Sequence, residues 1–287
     1  MTGISIPFTK MSGSGNDFVV VDNRSGILSG LDIPAFTRAV CRHRVSVGAD
    51  GVVMLSDPPA DDPSLAYTWR YVNADGSDGE MCGNGAMCAA RFAVRAGIAD
   101  AHHRFLTPSG MVEAWADPVN PSAAIAIADP ERIEEPVEVT VDGRVMCCVR
   151  VVVGVPHIVV RVEDADAFAD AGTFRKIGRG LRLHATFAPA GTNVNVVSRI
   201  ANGTWRMRTY ERGVEAETLA CGTGAMASAI VLGHQGLSTS PTRIRTSSGR
   251  DLAVTYELAD GQATGVRLSG HAAVIYDGTL TREAFAE

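Results

Sequence analysis

Cys82-Gly83-Asn84-Gly85-Ala86-Met87-Cys88-Ala89-Ala90 returns 139 residues later as Cys221-Gly222-Thr223-Gly224-Ala225-Met226-Ala227-Ser228-Ala229, identical at six of the nine positions. A repeat at that spacing in a chain of 287 residues marks two halves built alike. The register runs on without a gap. Thr107-Pro108-Ser109-Gly110 and Thr246-Ser247-Ser248-Gly249 stand equally far beyond each leading cysteine, each a turn before a strand. Upstream, Gly13-Ser14-Gly15-Asn16-Asp17-Phe18-Val19 echoes Gly154-Val155-Pro156-His157-Ile158-Val159-Val160 at an offset of 141.

Both repeated segments open on glycines and continue with few charges, so they read as helices over 84–96 and 223–232, stopped by Gly97 and by Gly233 or Gly236. A helix apolar nearly all round is a buried one, here packed against a curved sheet. A third helix is expected over 34–42 behind an Asp32 cap. The remaining pattern is strand-rich, with β segments at 51–55, 68–72, 144–153, 158–162, 193–198, 206–210, 252–256 and 272–276. The expected fold class is α/β of the α+β kind. It has two pseudo-symmetric domains, 1–117 and 118–269, each a curved, mostly antiparallel sheet around a central helix. The boundary is placed in the stretch Asp117 to Ser122, which holds Pro118 and Pro121.

Composition removes several function classes. With 46% hydrophobic and 20% charged residues the chain is globular rather than disordered. A net charge of -6 leaves no basic stripe for nucleic acid. The most apolar stretch, Val149 to Val160, is broken by Arg150, Gly154, Pro156 and His157, so no membrane helix is expected. The first twenty residues lack the pattern of a secretory signal, which places the protein in the cytoplasm and its six cysteines as reduced thiols. Pyridoxal chemistry would have to rest on Lys10 or Lys176, the chain's two lysines, and neither stands in a phosphate-cradling context. No metal is expected, because no C-x-x-C or H-x-x-x-H spacing occurs. Gly222 to Ala227 nearly spells a dinucleotide fingerprint, but that motif follows an apolar strand, whereas 75–80 and 211–218 are polar or acidic.

Cys41, Cys88, Cys147 and Cys148 read as small core residues. Cys82 and Cys221 read otherwise. A thiol at a helix N-terminus meets unpaired N–H groups and the positive end of the helix dipole, which lowers its pKa from about 8.5 toward neutrality. The same N–H groups, open beside Gly83, Gly85, Gly222 and Gly224, form a site for a carboxylate. Base and carboxylate site therefore come together twice. If the two starts bracket the α-carbon of an amino acid, one thiolate removes the proton from one face and the other thiol delivers one to the opposite face. The product is the inverted stereocentre. The developing charge is held by N–H dipoles, and no cofactor is needed.

Here the residues resemble the diaminopimelate epimerase family, pyridoxal-independent enzymes of lysine and peptidoglycan synthesis. The resemblance runs through Lys10 to Phe18, Gly48-Ala49-Asp50-Gly51, Asn73-Ala74-Asp75-Gly76-Ser77 and Met81 to Gly85. It continues through Pro156-His157, Thr192-Asn193-Val194, Glu211-Arg212-Gly213 and Glu217 to Gly224, in family order. It implies Cys82 and Cys221 as the acid/base pair in a cleft between two domains, a C-terminal segment 270–287 returning to the first domain, and a homodimer. It further implies that Asn16, Asn73, Asn193, Glu211 and Arg212 line the substrate pocket. Gly83, Asn84, Gly222 and Thr223 would present N–H groups to the carboxylate, with His157 and Glu211 supporting the thiols.

Three single positions and one two-residue stretch depart from the family pattern. Val155 stands where an asparagine of the pocket is usual, and Gly191 and Met87 stand where arginine is frequent. Glu215-Ala216 replaces a single glycine in the loop leading to Cys221. The reacting end is intact while the far end is altered. The expected reaction is therefore epimerisation of LL-diaminopimelate to the meso isomer. The alternatives are a racemase of another amino acid, such as histidine, and a non-catalytic member that binds amino acids.

Overall fold

The computed structural model describes residues 5–79, 81–127 and 129–285. The ends of the expected first domain, 1–4 and 286–287, and Glu80 of the polar flank lie outside the described residues. The chain divides into two compact units, Met1–Ile125 with Ser269–Glu287, and Ala126–Leu268.

In the first unit β1 (Ile6–Gly13) and β2 (Asn16–Asp22) form an antiparallel hairpin. β2 runs parallel to β3 (Gly51–Ser56), which turns back antiparallel into β4 (Tyr67–Asn73). The short β5 (Asp78–Gly79) and the hairpin β6 (His102–Thr107) and β7 (Gly110–Ala116) extend β4, and β8 (Ser122–Ala126) follows. Two helices flank these strands, α1 (Ile33–Val40) and α2 (Gly83–Arg95).

The second unit repeats the scheme behind an added strand β9 (Val137–Val141). β10 (Arg144–Val153) and β11 (Val155–Arg161) correspond to β1 and β2; α3 (Ala171–Arg182) corresponds to α1. β12 (Asn193–Arg199), β13 (Trp205–Glu211) and β14 (Ala216–Thr218) take the places of β3, β4 and β5, with the same parallel and antiparallel pairings. α4 (Gly222–His234) matches α2, and β15 (Thr242–Arg245) with β16 (Asp251–Ala259) matches the β6–β7 hairpin. The last strand, β17 (Gln262–Leu280), ends in the first unit, where Ala272 to Leu280 pair antiparallel with β1.

Alternation along the strands decides which helix each side chain meets. Val19, Val21, Val52 and Met54 join Phe36 and Val40 of α1 in one core; Ile158, Val160, Val194 and Val196 join Phe174, Ile177 and Leu181 of α3 in the other. The alternate residues face the opposite way, toward α2 or α4. Both of these helices are buried almost all round, from Gly83 through Ala93 in α2 and along most of α4, as their charge-poor sequences require. Among the described residues no helix is long and apolar enough to cross a membrane.

Three expectations need correction or completion. Cys147 is exposed, not core: it neighbours buried Cys148 on β10, and successive strand residues point to opposite faces. Helix α3 was not expected, because Gly178 and Gly180 argue against a helix by propensity. The stretch Asp117 to Ser122, where the boundary is placed, makes hydrogen bonds within itself and to first-unit residues. Arg91 donates to the carbonyls of Asp117 and Val119, and Ala272 N–H donates to Pro121.

Candidate active site

Each leading cysteine is the N-cap of its buried helix, in extended backbone conformation, with the helix starting at the next glycine. Cys82 Sγ accepts from Gly85 N–H at 3.5 Å, and Cys221 Sγ accepts from Gly224 N–H at 3.4 Å. These are the positions that serine or aspartate fill in ordinary caps. Negative charge is stabilised there, because the first turn's N–H groups have no carbonyl partners within the helix. Cys221 lies 3.6 Å from Thr223 Oγ1 and is only 7% exposed; Cys82 is half-buried. The other thiols differ. Burial pushes Cys41 and Cys148 up to about 12, and it raises Cys88 further, with the nearby Cys82 adding to the effect.

In the first unit the residues around Cys82 form a polar chain. Asn84 Nδ2 donates to Asn16 Oδ1 at 2.8 Å, and Asn16 Nδ2 donates to Asp50 Oδ2 at 2.9 Å. Asp50 also accepts from Asp17 N–H at 3.1 Å, and its carbonyl accepts from Ala74 N–H, next to Asn73. Asn73 closes β4 opposite Gly51, with its amide on Ser77 Oγ at 3.1 Å. Lys10 is buried and donates to Asp17 and to the Gly48 carbonyl, which makes it part of this scaffold. Asp50 was not among the residues expected from sequence, although its block was recognised.

In the second unit the neighbours of Cys221 are drier. His157 is fully buried and faces Asn193 across the parallel pair. Asn193 Nδ2 donates to Pro156 O at 3.1 Å, and its Oδ1 accepts from Arg212 N–H at 2.8 Å. The Arg212 guanidinium donates to Ala190 O at 3.1 Å. Burial raises the Glu211 carboxyl. Burial, aided by the charge of Arg212, pushes His157 down to about 3, so its ring is neutral at ordinary pH. Asn195, absent from the sequence-derived set, bonds His157 Nδ1 at 3.1 Å and lies against Gly224 in the first turn of α4. Two asparagines alternating with valines at the start of β12 were the signal for it.

Among the described residues no three His, Cys, Asp or Glu side chains gather as a metal-holding group. Two of the departures from the family pattern meet in space. Gly191 has φ +65°, and a Cβ there would strike the carbonyl and guanidinium of Arg182. Arg182 in turn pairs with the inserted Glu215 at 2.8 Å, and Glu215 also accepts from Gly213 N–H and Tyr210 Oη–H. A cation thus stands beside position 191 although the residue itself carries none. Met87 is fully buried in α2, and Val155 offers its strand no side-chain amide.

This two-unit arrangement is found in racemases and isomerases. A hydroxyproline epimerase from Agrobacterium vitis with bound trans-4-hydroxy-L-proline superposes with a TM-score of 0.68 at 13% identity, over 97% of this chain and 93% of that one. A phenazine biosynthesis protein of the PhzF family from Bacillus anthracis gives 0.65 at 11% identity, over 96% and 99%. At these identities the likeness is one of fold. The sequence goes further: the family model for diaminopimelate epimerase matches residues 8–128 and 149–268. The diaminopimelate epimerase of Aquifex aeolicus (strain VF5) is 40% identical over 283 residues, 96% of this chain and 98% of that one. That of Gemmatimonas aurantiaca is 40% identical over 282 residues, 95% and 98%. The chain belongs to the diaminopimelate epimerase family, and it is an isomerase, an amino-acid epimerase.

Proposed function

We propose that this chain interconverts LL- and meso-diaminopimelate by passing the α-proton through two thiols, Cys82 and Cys221. The observation that carries this reading is the duplicated N-cap: two sulfurs, each the acceptor at the start of a buried helix, each followed by glycine. In one direction a thiolate takes the α-proton and becomes a thiol. The α-carbon's electron pair spreads into the adjacent carboxylate. The second thiol then gives its proton to the opposite face and becomes a thiolate. A run in the other direction, or proton exchange with solvent, restores the starting pair. N–H groups of Gly83, Asn84, Gly222 and Thr223 hold the carboxylate as its charge grows, the electrostatic contribution that lowers such barriers most. Asn16, Asn73, Asn193 and Arg212 bind the substrate, with Glu211 and His157 supporting the thiols.

The test is incubation with LL-diaminopimelate and with a panel of single L-amino acids in deuterated buffer with reductant, read by proton NMR and chiral chromatography. Loss of the α-proton signal with formation of the meso isomer, for diaminopimelate alone, is the expected result. Val155, which lacks an amide, favours a second reading, a racemase of another amino acid. Exchange on histidine or another panel member, without turnover of diaminopimelate, would establish it and overturn the first. Silence on the whole panel with intact thiols would overturn both and leave an amino-acid-binding protein.

A further inference from the structure

Which ring nitrogen of His157 carries the proton is fixed, by elimination, by its neighbours in the second unit. Asn195 Nδ2 lies 3.1 Å from the Ile158 carbonyl oxygen and 3.1 Å from His157 Nδ1; its Oδ1 lies 3.0 Å from Thr209 Oγ1. Asn195 and His157 are both 0% exposed, and Thr209 is buried with them. A peptide carbonyl can only accept, so the amide atom facing Ile158 must be the nitrogen, which leaves Oδ1 to accept from Thr209. The second amide hydrogen then points at His157 Nδ1. Two N–H groups do not face each other at that distance, so Nδ1 holds the lone pair and the ring's single proton sits on Nε2. That nitrogen is buried and meets no acceptor among the described residues. An unmet buried donor costs about 1–3 kcal/mol, which is sustained only where something else fixes the ring.

We propose that Asn195 is a positioning residue that locks His157 as a neutral ring with its proton on Nε2, held ready to donate a hydrogen bond to an anion formed during turnover. The role of that donor rests on the reading under Proposed function; the tautomer itself does not. His157 thereby acts as a fixed donor and not as a carrier of the α-proton. Among the described residues the first unit has no such device. Gly51 stands at the strand position of Asn195, and Asn16, which cannot change tautomer, stands at that of His157.

Nitrogen-15 NMR of the full chain at pH 7.5 tests the assignment, with the His157 signals identified by their absence from His157→Gln. The expected spectrum shows a lone-pair-type Nδ1 and a protonated-type Nε2. The opposite tautomer, or a doubly protonated ring, would overturn the proposal. Asn195→Asp sets an acceptor opposite Nδ1 and should draw a proton onto it. We expect the Nδ1 signal to become protonated-type and kcat for α-proton exchange to fall about 100-fold, with KM within about threefold. A tautomer that moves while kcat stays within about threefold would refute the positioning role. Should that variant fail to fold, the wild-type spectrum still decides the tautomer. If the wild type turns over no amino acid, the functional reading fails and the same spectrum judges the lock separately.

Discussion

In the first unit the helix headed by Cys82 is approached by a partly exposed chain, Asn84 to Asn16 to Asp50; in the second the helix headed by Cys221 is approached by a buried one, His157 to Asn195 to Thr209. The strand registers make these the same places. Phe18 faces Gly51 in the first parallel pair and Val159 faces Asn195 in the second, so Asn16 corresponds to His157 and Gly51 to Asn195. The two helix starts are alike, but the chain beside one ends on the carboxylate of exposed Asp50, whereas the chain beside the other is a buried run of uncharged side chains. A reaction that takes a proton at one sulfur and gives it at the other has use for such inequality.

The largest effect that could break the comparison comes from the sulfurs themselves. Cys82→Ala and Cys221→Ala should each reduce turnover by about 1000-fold, the scale of a lost general acid or base. If either variant kept turnover within tenfold, the two helix starts would not share one function.

Next in size is the contrast between two ion pairs, one on each of the corresponding strand pairs β4–β5 and β13–β14. Arg70 and Asp78 join β4 to β5 with both side chains exposed; Arg208 and Glu217 join β13 to β14 in a two-pronged contact at 2.8 and 2.7 Å, with Arg208 lying 4.0 Å over Phe174. Burial acts to raise Glu217, but Arg208 outweighs it and the carboxyl lies below its usual range. Arg208→Met should cost about 1.5–3 kcal/mol, the scale of a hydrogen bond to a charged group, because Glu217 is left with Ser247 as its hydrogen-bond donor. Arg70→Met should cost under about 1 kcal/mol. Denaturant unfolding of the two variants measures the contrast.

The histidine sharpens the difference through pH. His157 stays neutral in the folded chain down to about 3, whereas an unfolded histidine binds a proton near 6.5. Stability from this group is complete above about pH 6.5 and drains away as pH falls toward 3, amounting to a loss of about 2 kcal/mol at pH 5. His157→Gln should remove that part of the slope, and Asn16→Ala should leave it in place. Smallest is the effect of Arg182→Met, which frees the loop carrying Arg212. We expect KM to rise about threefold, with stability changed by less than about 1 kcal/mol, since the Arg182–Glu215 pair is partly exposed.

The sequence displayed its duplication openly because the two helix starts carry the same glycine constraint, and alternating β-branched runs made most strands readable. What stayed hidden depended on distant packing. Helix α3 carries glycines where Tyr210 and Val141 press against it, so its stripe of Phe174, Ile177 and Leu181 was masked by poor propensity. Asn195 is an asparagine in a strand, which reads as a turn residue until its partners, 38 and 14 residues away, are in view. The Arg182–Glu215 pair was invisible for the same reason. Gly191 and Glu215 each looked like an isolated departure, and only the fold brings Arg182 to both.

The most direct test of two-thiol transfer is the isotope content of product and remaining substrate early in a reaction of LL-diaminopimelate in deuterated buffer. If one thiol removes the α-proton and the other, already exchanged with solvent, supplies its replacement, the meso product carries deuterium from the first turnover. The unreacted LL isomer keeps its proton. Product that retains the substrate's own proton would mean that a single base does both steps, and the paired roles of Cys82 and Cys221 would be wrong.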